Sequence, residues 1–85
     1  MTFRVLSTFQ KDFRSLPREI QKQFEKTIRL FEENPRHPSL RVKKMEGAPG
    51  IWEARMTQSY RFTFNWEAGV VTLRRIGTHD ILRKE

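Results

Sequence analysis

Two histidines and a surplus of arginine are the side chains of this 85-residue chain best suited to proton transfer or phosphate chemistry. His79 follows Gly77-Thr78, and His37 lies in the loop Pro35-Arg36-His37-Pro38. An imidazole changes charge near neutral pH and can give or take a proton there. Taken alone, His79 reads as a surface or packing residue and His37 as a solvated loop residue. Two imidazoles make a metal site only with added carboxylates, and the lack of cysteine removes thiol nucleophiles, thiolate zinc sites and disulfides together. The arginines carry a different message, because a guanidinium offers a planar fork of donors that suits phosphate oxygens. With 17 Lys and Arg against 10 Asp and Glu, the net charge is +7. A polyanion is therefore first among candidate partners, since each phosphate neutralised releases condensed counterions.

The elements that hold these residues must come from one small core. Residues 1–85 are expected to form a single domain, which excludes a multidomain enzyme. The hydrophobic fraction is 36%, yet seven Phe, two Trp and one Tyr supply bulky side chains that fill a core economically. No apolar run exceeds two residues, and Met1-Thr2-Phe3-Arg4-Val5-Leu6 has no extended apolar stretch of the kind a signal peptide needs. A cytoplasmic protein without membrane attachment is expected.

Along the chain, Phe3 and Val5 alternate with polar neighbours and predict a short first strand, suited to a sheet edge. Ser7 or Thr8 is placed to cap a helix carrying Phe9, Phe13 and Leu16 on one stripe. Pro17 ends that helix and suits the start of a second, in which Ile20, Phe24, Ile28 and Phe31 recur at helical spacing. Asn34-Pro35 stops it. After Pro38 the period changes to two: Leu40 and Val42 alternate with basic residues, and Glu46-Gly47-Ala48-Pro49-Gly50 is turn chemistry. Residues 51–57, 60–65 and 70–76 predict three further strands, close enough in sequence to pair antiparallel. The order is β-α-α-β-β-β-β, an α+β fold: an N-terminal strand, a helical hairpin on one sheet face, and an antiparallel four-stranded meander.

Alternation sorts the strand residues onto two faces. Trp52, Ala54 and Met56, then Tyr60, Phe62 and Phe64, then Val71 and Leu73 should meet the helices. Glu53, Arg55, Arg61, Thr63, Thr72 and Arg74 should face water, joined by Arg41 and Lys43 from the strand before the turn. Polar residues on the open face of a sheet need no special cause, but here cations outnumber Glu53 on neighbouring strands. Like charges so placed repel, and a phosphate partner would offset the cost.

The order of elements, with Met45-Glu46-Gly47, Trp52-Glu53-Ala54-Arg55-Met56, Ser59-Tyr60-Arg61-Phe62-Thr63-Phe64 and Ile76-Gly77-Thr78-His79, resembles the RelE/ParE superfamily of toxins of type II toxin–antitoxin systems. Within it the sequence is most similar to the RelE, YoeB and YafQ mRNA interferases. The resemblance implies a metal-independent, cofactor-free endoribonuclease that cuts mRNA in the ribosomal A site by attack of the 2′-hydroxyl on the adjacent phosphate, in contact with rRNA. It implies a cognate antitoxin as partner. His79 is then the acid that protonates the leaving oxygen, Arg61 the clamp on the charged phosphate, and Lys43 or Lys44 the substitute for a proton acceptor. Lys43 is taken as the catalytic one, with Arg41, Lys44, Arg55, Arg74 and Arg75 as RNA contacts. YoeB places a glutamate on the strand before the turn, whereas Ser39-Leu40-Arg41-Val42-Lys43-Lys44 contains none, so the base stays unassigned. The aromatic residue often found near the C-terminus of RelE and YoeB is replaced by Asp80-Ile81-Leu82. Two other functions fit the same resemblance: a ParE-like inhibitor of DNA gyrase, and an inactive basic domain that binds RNA or its antitoxin without cleaving.

Overall fold

Two aromatic stripes at helical spacing set the architecture. In the computed structural model, which describes residues 1–83 and 85, the first stripe forms helix α1 (Ser7–Arg14) and the second helix α2 (Arg18–Glu33). Phe9 of α1 is buried and stacks on Phe13, their ring centroids 6.2 Å apart. Phe24 and Phe31 of α2 are buried, but Ile20 is only partly so, and Thr27 takes a core-facing position instead. Its hydroxyl is satisfied by donating to the Gln23 carbonyl one turn back, at 2.8 Å. Neither Ser7 nor Thr8 caps α1: Leu6 occupies the cap position, and the Thr8 hydroxyl donates instead to the carbonyl of Arg74 at 2.9 Å.

Five strands follow the predicted order: β1 (Thr2–Val5), β2 (Lys43–Lys44), β3 (Ile51–Arg55), β4 (Arg61–Glu67) and β5 (Val70–Gly77). They form one sheet ordered β1-β5-β4-β3-β2. The pairings from β2 to β5 are antiparallel, as expected of a meander. β1 runs parallel to β5, Thr2 opposite Val70, so the helical hairpin carries the chain across the sheet from β1 at one edge to β2 at the other. The β4–β5 turn has two central residues, Ala68 and Gly69, both at positive φ (50° and 77°). That is the geometry whose twist matches a two-residue hairpin, and glycine adopts it without steric cost.

The core lies between helices and sheet and is built from rings. Phe62 meets Phe24 edge-on at 5.5 Å, and Phe31 meets Phe64 at 5.1 Å. Phe31, Phe62 and Phe64 have no exposed surface. β4 runs two residues beyond the predicted Asn65, which adds Trp66 to the same face, 5.8 Å from Phe31 and 5.4 Å from Trp52. Edge-to-face contacts of this kind add to the stabilisation from burying large rings. Among the described residues no helix is long and apolar enough to cross a membrane.

One irregularity shapes the opposite face. The β4–β5 register slips at a bulge between Thr63 and Phe64: Thr63 pairs with Arg75 but Phe64 with Leu73, which leaves Arg74 unpaired. Beyond the end of β1 the free edge of β5 is covered by α1. The Asp12 carboxylate accepts from the Ile76 backbone N–H at 3.2 Å and from the Arg75 Nε and Nη2 at 2.7 and 3.0 Å. A potentially sticky edge is thus closed by side chains of the first helix.

Candidate active site

The site is assembled by strand register. Lys43 on β2 lies opposite Glu53 on β3, and Arg55 on β3 lies opposite Arg61 on β4. Arg61 is in turn the partner of Gly77, the last residue of β5, and His79 opens the 3-10 segment His79–Arg83 just beyond it. Arg41 closes the short 3-10 turn Pro38–Leu40 in a left-handed conformation, φ 47°. Arg41, Lys43, Glu53, Arg55, Arg61, His79 and Leu82 line one cavity of about 380 Å³. Four cationic side chains there face one carboxylate and one imidazole.

Arg61 is held by its own turn. Its Nη1 donates to the carbonyls of Thr57, Gln58 and Tyr60 at 2.7, 3.2 and 3.0 Å. Among the described residues its Nε and Nη2 have no partner, so two donor nitrogens remain for a ligand. The turn itself is pinned by the Thr57 hydroxyl, which accepts from the backbone N–H groups of Ser59 and Tyr60. Burial depresses the Arg61 pKa below the ordinary guanidinium value, with like charge from Arg55 and Arg41 adding to the effect and Glu53 opposing it. An anion at this point would relieve the repulsion between the cations.

Gly77 explains how His79 comes to the site. A β-carbon at Gly77 would stand 2.7 Å from Cγ2 of Ile81, whose side chain is buried. The missing side chain lets the 3-10 segment fold tightly back on the strand, and His79 is carried by that fold. The tail residues, too few for a sequence assignment, are therefore an element that positions the imidazole.

Three expected RNA contacts lie elsewhere. Lys44 is outside this cavity, its Nζ 5.4 Å from the centroid of the Trp52 ring, and borders the neighbouring one that Lys43, Glu46 and Glu53 also line. Arg74 is engaged by Glu85, through Nε at 3.1 Å, and by the Asn65 side-chain oxygen at 2.9 Å. Arg75 is drawn around the sheet edge to Asp12, whose hydrogen bond raises its pKa. Strict alternation does not anticipate the bulge that turns Arg74 and Arg75 to different partners. Nor does it foresee that Thr63, expected to face water, is fully buried. Its hydroxyl donates to the Glu85 carboxylate and accepts from the Arg75 N–H. His37, treated as a solvated loop residue, is an exposed-side cap: its Nδ1 accepts from the Ser39 N–H at 3.2 Å, starting the turn that ends at Arg41.

Among the described residues no group of three or more His, Asp or Glu is placed to hold a metal ion. A larger groove, of about 450 Å³, lies between α1, α2 and the β1–β5 edge, bordered by Val5, Phe9, Phe13 and Leu73. Its lining is mainly apolar and brings no proton-transfer group to a cation. The smaller cavity is the one that brings an imidazole and a carboxylate to a cluster of cations.

The fold is that of the RelE, YafQ and YoeB/ParE toxins. No protein-family model matches the chain, and no curated protein matches it in sequence. YafQ from E. coli strain BL21(DE3) superposes with a TM-score of 0.79 at 14% identity, covering 94% of each chain. The RelB–RelE antitoxin–toxin complex from Methanococcus jannaschii gives 0.75 at 20% identity over 95% of each chain. A YoeB/ParE toxin from Agrobacterium tumefaciens gives 0.74 at 16% identity, covering 93% of this chain and 99% of its own.

Proposed function

We propose that this protein is the toxin of a toxin–antitoxin pair and acts as an endoribonuclease on mRNA at the ribosome. The observation that carries the proposal is the cavity in which Arg61, with two donor nitrogens unpartnered among the described residues, is surrounded by Lys43, Arg55 and Arg41 and shares its walls with His79. In this reading the scissile phosphate sits against Arg61, and Arg41, Lys43 and Arg55 stabilise the charge that develops on phosphorus. His79 gives a proton to the departing 5′-oxygen. The nucleophile is the substrate's own 2′-hydroxyl, so the products are a 2′,3′-cyclic phosphate and a 5′-hydroxyl, and the charge stabilisation comes from the guanidinium groups and the Lys43 ammonium. Similarity to proteins crystallised with the antitoxins RelB and DinJ supports a cognate antitoxin as partner.

The test is cleavage of mRNA on programmed ribosomes, with the 3′ ends read by mass spectrometry. Wild type is expected to leave cyclic phosphate ends, and His79→Ala to lower the rate by about 100-fold or more. Chelators that remove transition metals but spare the magnesium of the ribosome should leave the rate unchanged. Intact mRNA with wild-type protein would sink the proposal. A simultaneous loss of gyrase supercoiling would favour the inhibitor instead, and salt-sensitive RNA binding without cleavage would favour an inactive binding domain.

A further inference from the structure

The reaction needs an acceptor for the 2′-hydroxyl proton, and the strand before the turn, Lys43–Lys44, offers only ammonium groups. An ammonium has no acceptor site until it has lost a proton, whereas a carboxylate presents two acceptor oxygens directly. Of the seven residues that line the cavity, Glu53 is the one carboxylate. It lies at the centre of β3, hydrogen-bonded through the backbone ladder to neighbours on both sides, opposite Lys43 on β2 and Thr63 on β4. Its direction is therefore fixed by the pleat of an interior strand rather than by a loop. It is also close enough to Arg61 to influence that guanidinium.

Resting on the endoribonuclease reading, we propose that Glu53 is the general base of this site. Its carboxylate takes the 2′-hydroxyl proton as the 2′-oxygen forms its bond to phosphorus. The bond from phosphorus to the 5′-oxygen breaks, and His79 supplies the proton that this oxygen takes up. One proton has moved onto Glu53 and one has left His79, so exchange with water restores both. Lys43, the register partner of Glu53, then serves as a phosphate contact and not as the acceptor.

Single-turnover cleavage of ribosome-bound mRNA separates these roles. Glu53→Gln keeps the shape and removes the base: kcat is expected to fall by about 100-fold or more with KM little changed. Binding of an RNA carrying a 2′-deoxy nucleotide at the scissile position should be retained. Lys43→Met should mainly raise KM. The acidic limb of the kcat/KM profile should disappear in Glu53→Gln. The other ionisable groups around the carboxylate, Arg41, Lys43, Lys44, Glu46, Arg55, Arg61 and His79, all remain in that variant. Glu53→Asp, which withdraws the carboxylate by one methylene, should keep partial activity and covers the case in which the glutamine variant fails to fold. Wild-type rates in both variants, with active wild type, would overturn the assignment alone. Inactive wild type would overturn it together with the endoribonuclease reading.

Discussion

At the scale of the residue, Thr63 shows how much one hydroxyl can do on a sheet face. It is buried, accepts the Arg75 N–H left over by the bulge, and donates to the Glu85 carboxylate, which in turn holds Arg74. Thr63→Val keeps the shape and the strand preference but leaves the Arg75 N–H without its acceptor and the Glu85 carboxylate with Arg74 as its remaining donor. The expected loss is about 1–3 kcal/mol, readable as a lower midpoint in urea at unchanged slope. Against a total stability of roughly 5–15 kcal/mol, that is a large share. Glu85 shows what sequence alone leaves out. Its side chain is only 3% exposed and withdraws Arg74 from the solvent-facing cations, a contact joining residues 11 apart that no alternation pattern encodes. Lys43, Arg55 and Arg61 are brought together as alternation anticipates, because their part of the sheet is regular, whereas Arg41 joins them from outside the sheet, at the left-handed end of the Pro38–Leu40 turn. Arg74 and Arg75 depart from alternation because they sit at and beyond the bulge.

At the scale of the element, the 3-10 segment His79–Arg83 depends on its neighbour strand more than on its own sequence. Gly77 accepts the close approach of Ile81, so Gly77→Ala should push the segment outward and move His79 without altering it chemically. The expected result is a loss of about 1–3 kcal/mol from overpacking, seen as a lower melting temperature. At a temperature where the variant is still folded, cleavage should fall more than that loss of stability explains. The helices and the meander were legible because their periods are long and clean: Phe24 and Phe31 recur on α2, and Phe62 and Phe64 alternate on β4. The cap of α1 was not, because the Thr8 hydroxyl finds a carbonyl on β5, 66 residues away, that outcompetes its own helix. The partner of β1 was equally hidden, since short-range pairing rules say nothing about a strand that returns to the far end of the chain.

For the whole molecule, the cations behind the net charge of +7 divide into some paired with carboxylates and some gathered at a cavity. Arg75 is tied to Asp12 and Arg74 to Glu85, while four cations gather at one cavity. If those four each neutralise a phosphate of single-stranded RNA, the logarithm of the binding constant should fall with the logarithm of salt at a slope of about −3. Titrations of a non-cleavable RNA over a range of salt concentrations measure it, and a slope near zero would show that the cavity does not hold the RNA backbone. The pairing of Thr2 with Val70 has another consequence, for the order in which the protein comes into being. A ribosome makes β1 first and β5 last among the strands, so the sheet stays open during most of synthesis, and such distant contacts form slowly. A chain broken off before Val70 has no companion for β1 and no His79 at all. A chain must therefore be made at least as far as β5 and the segment after it before the sheet can close and the cavity that Arg61 and His79 share can form.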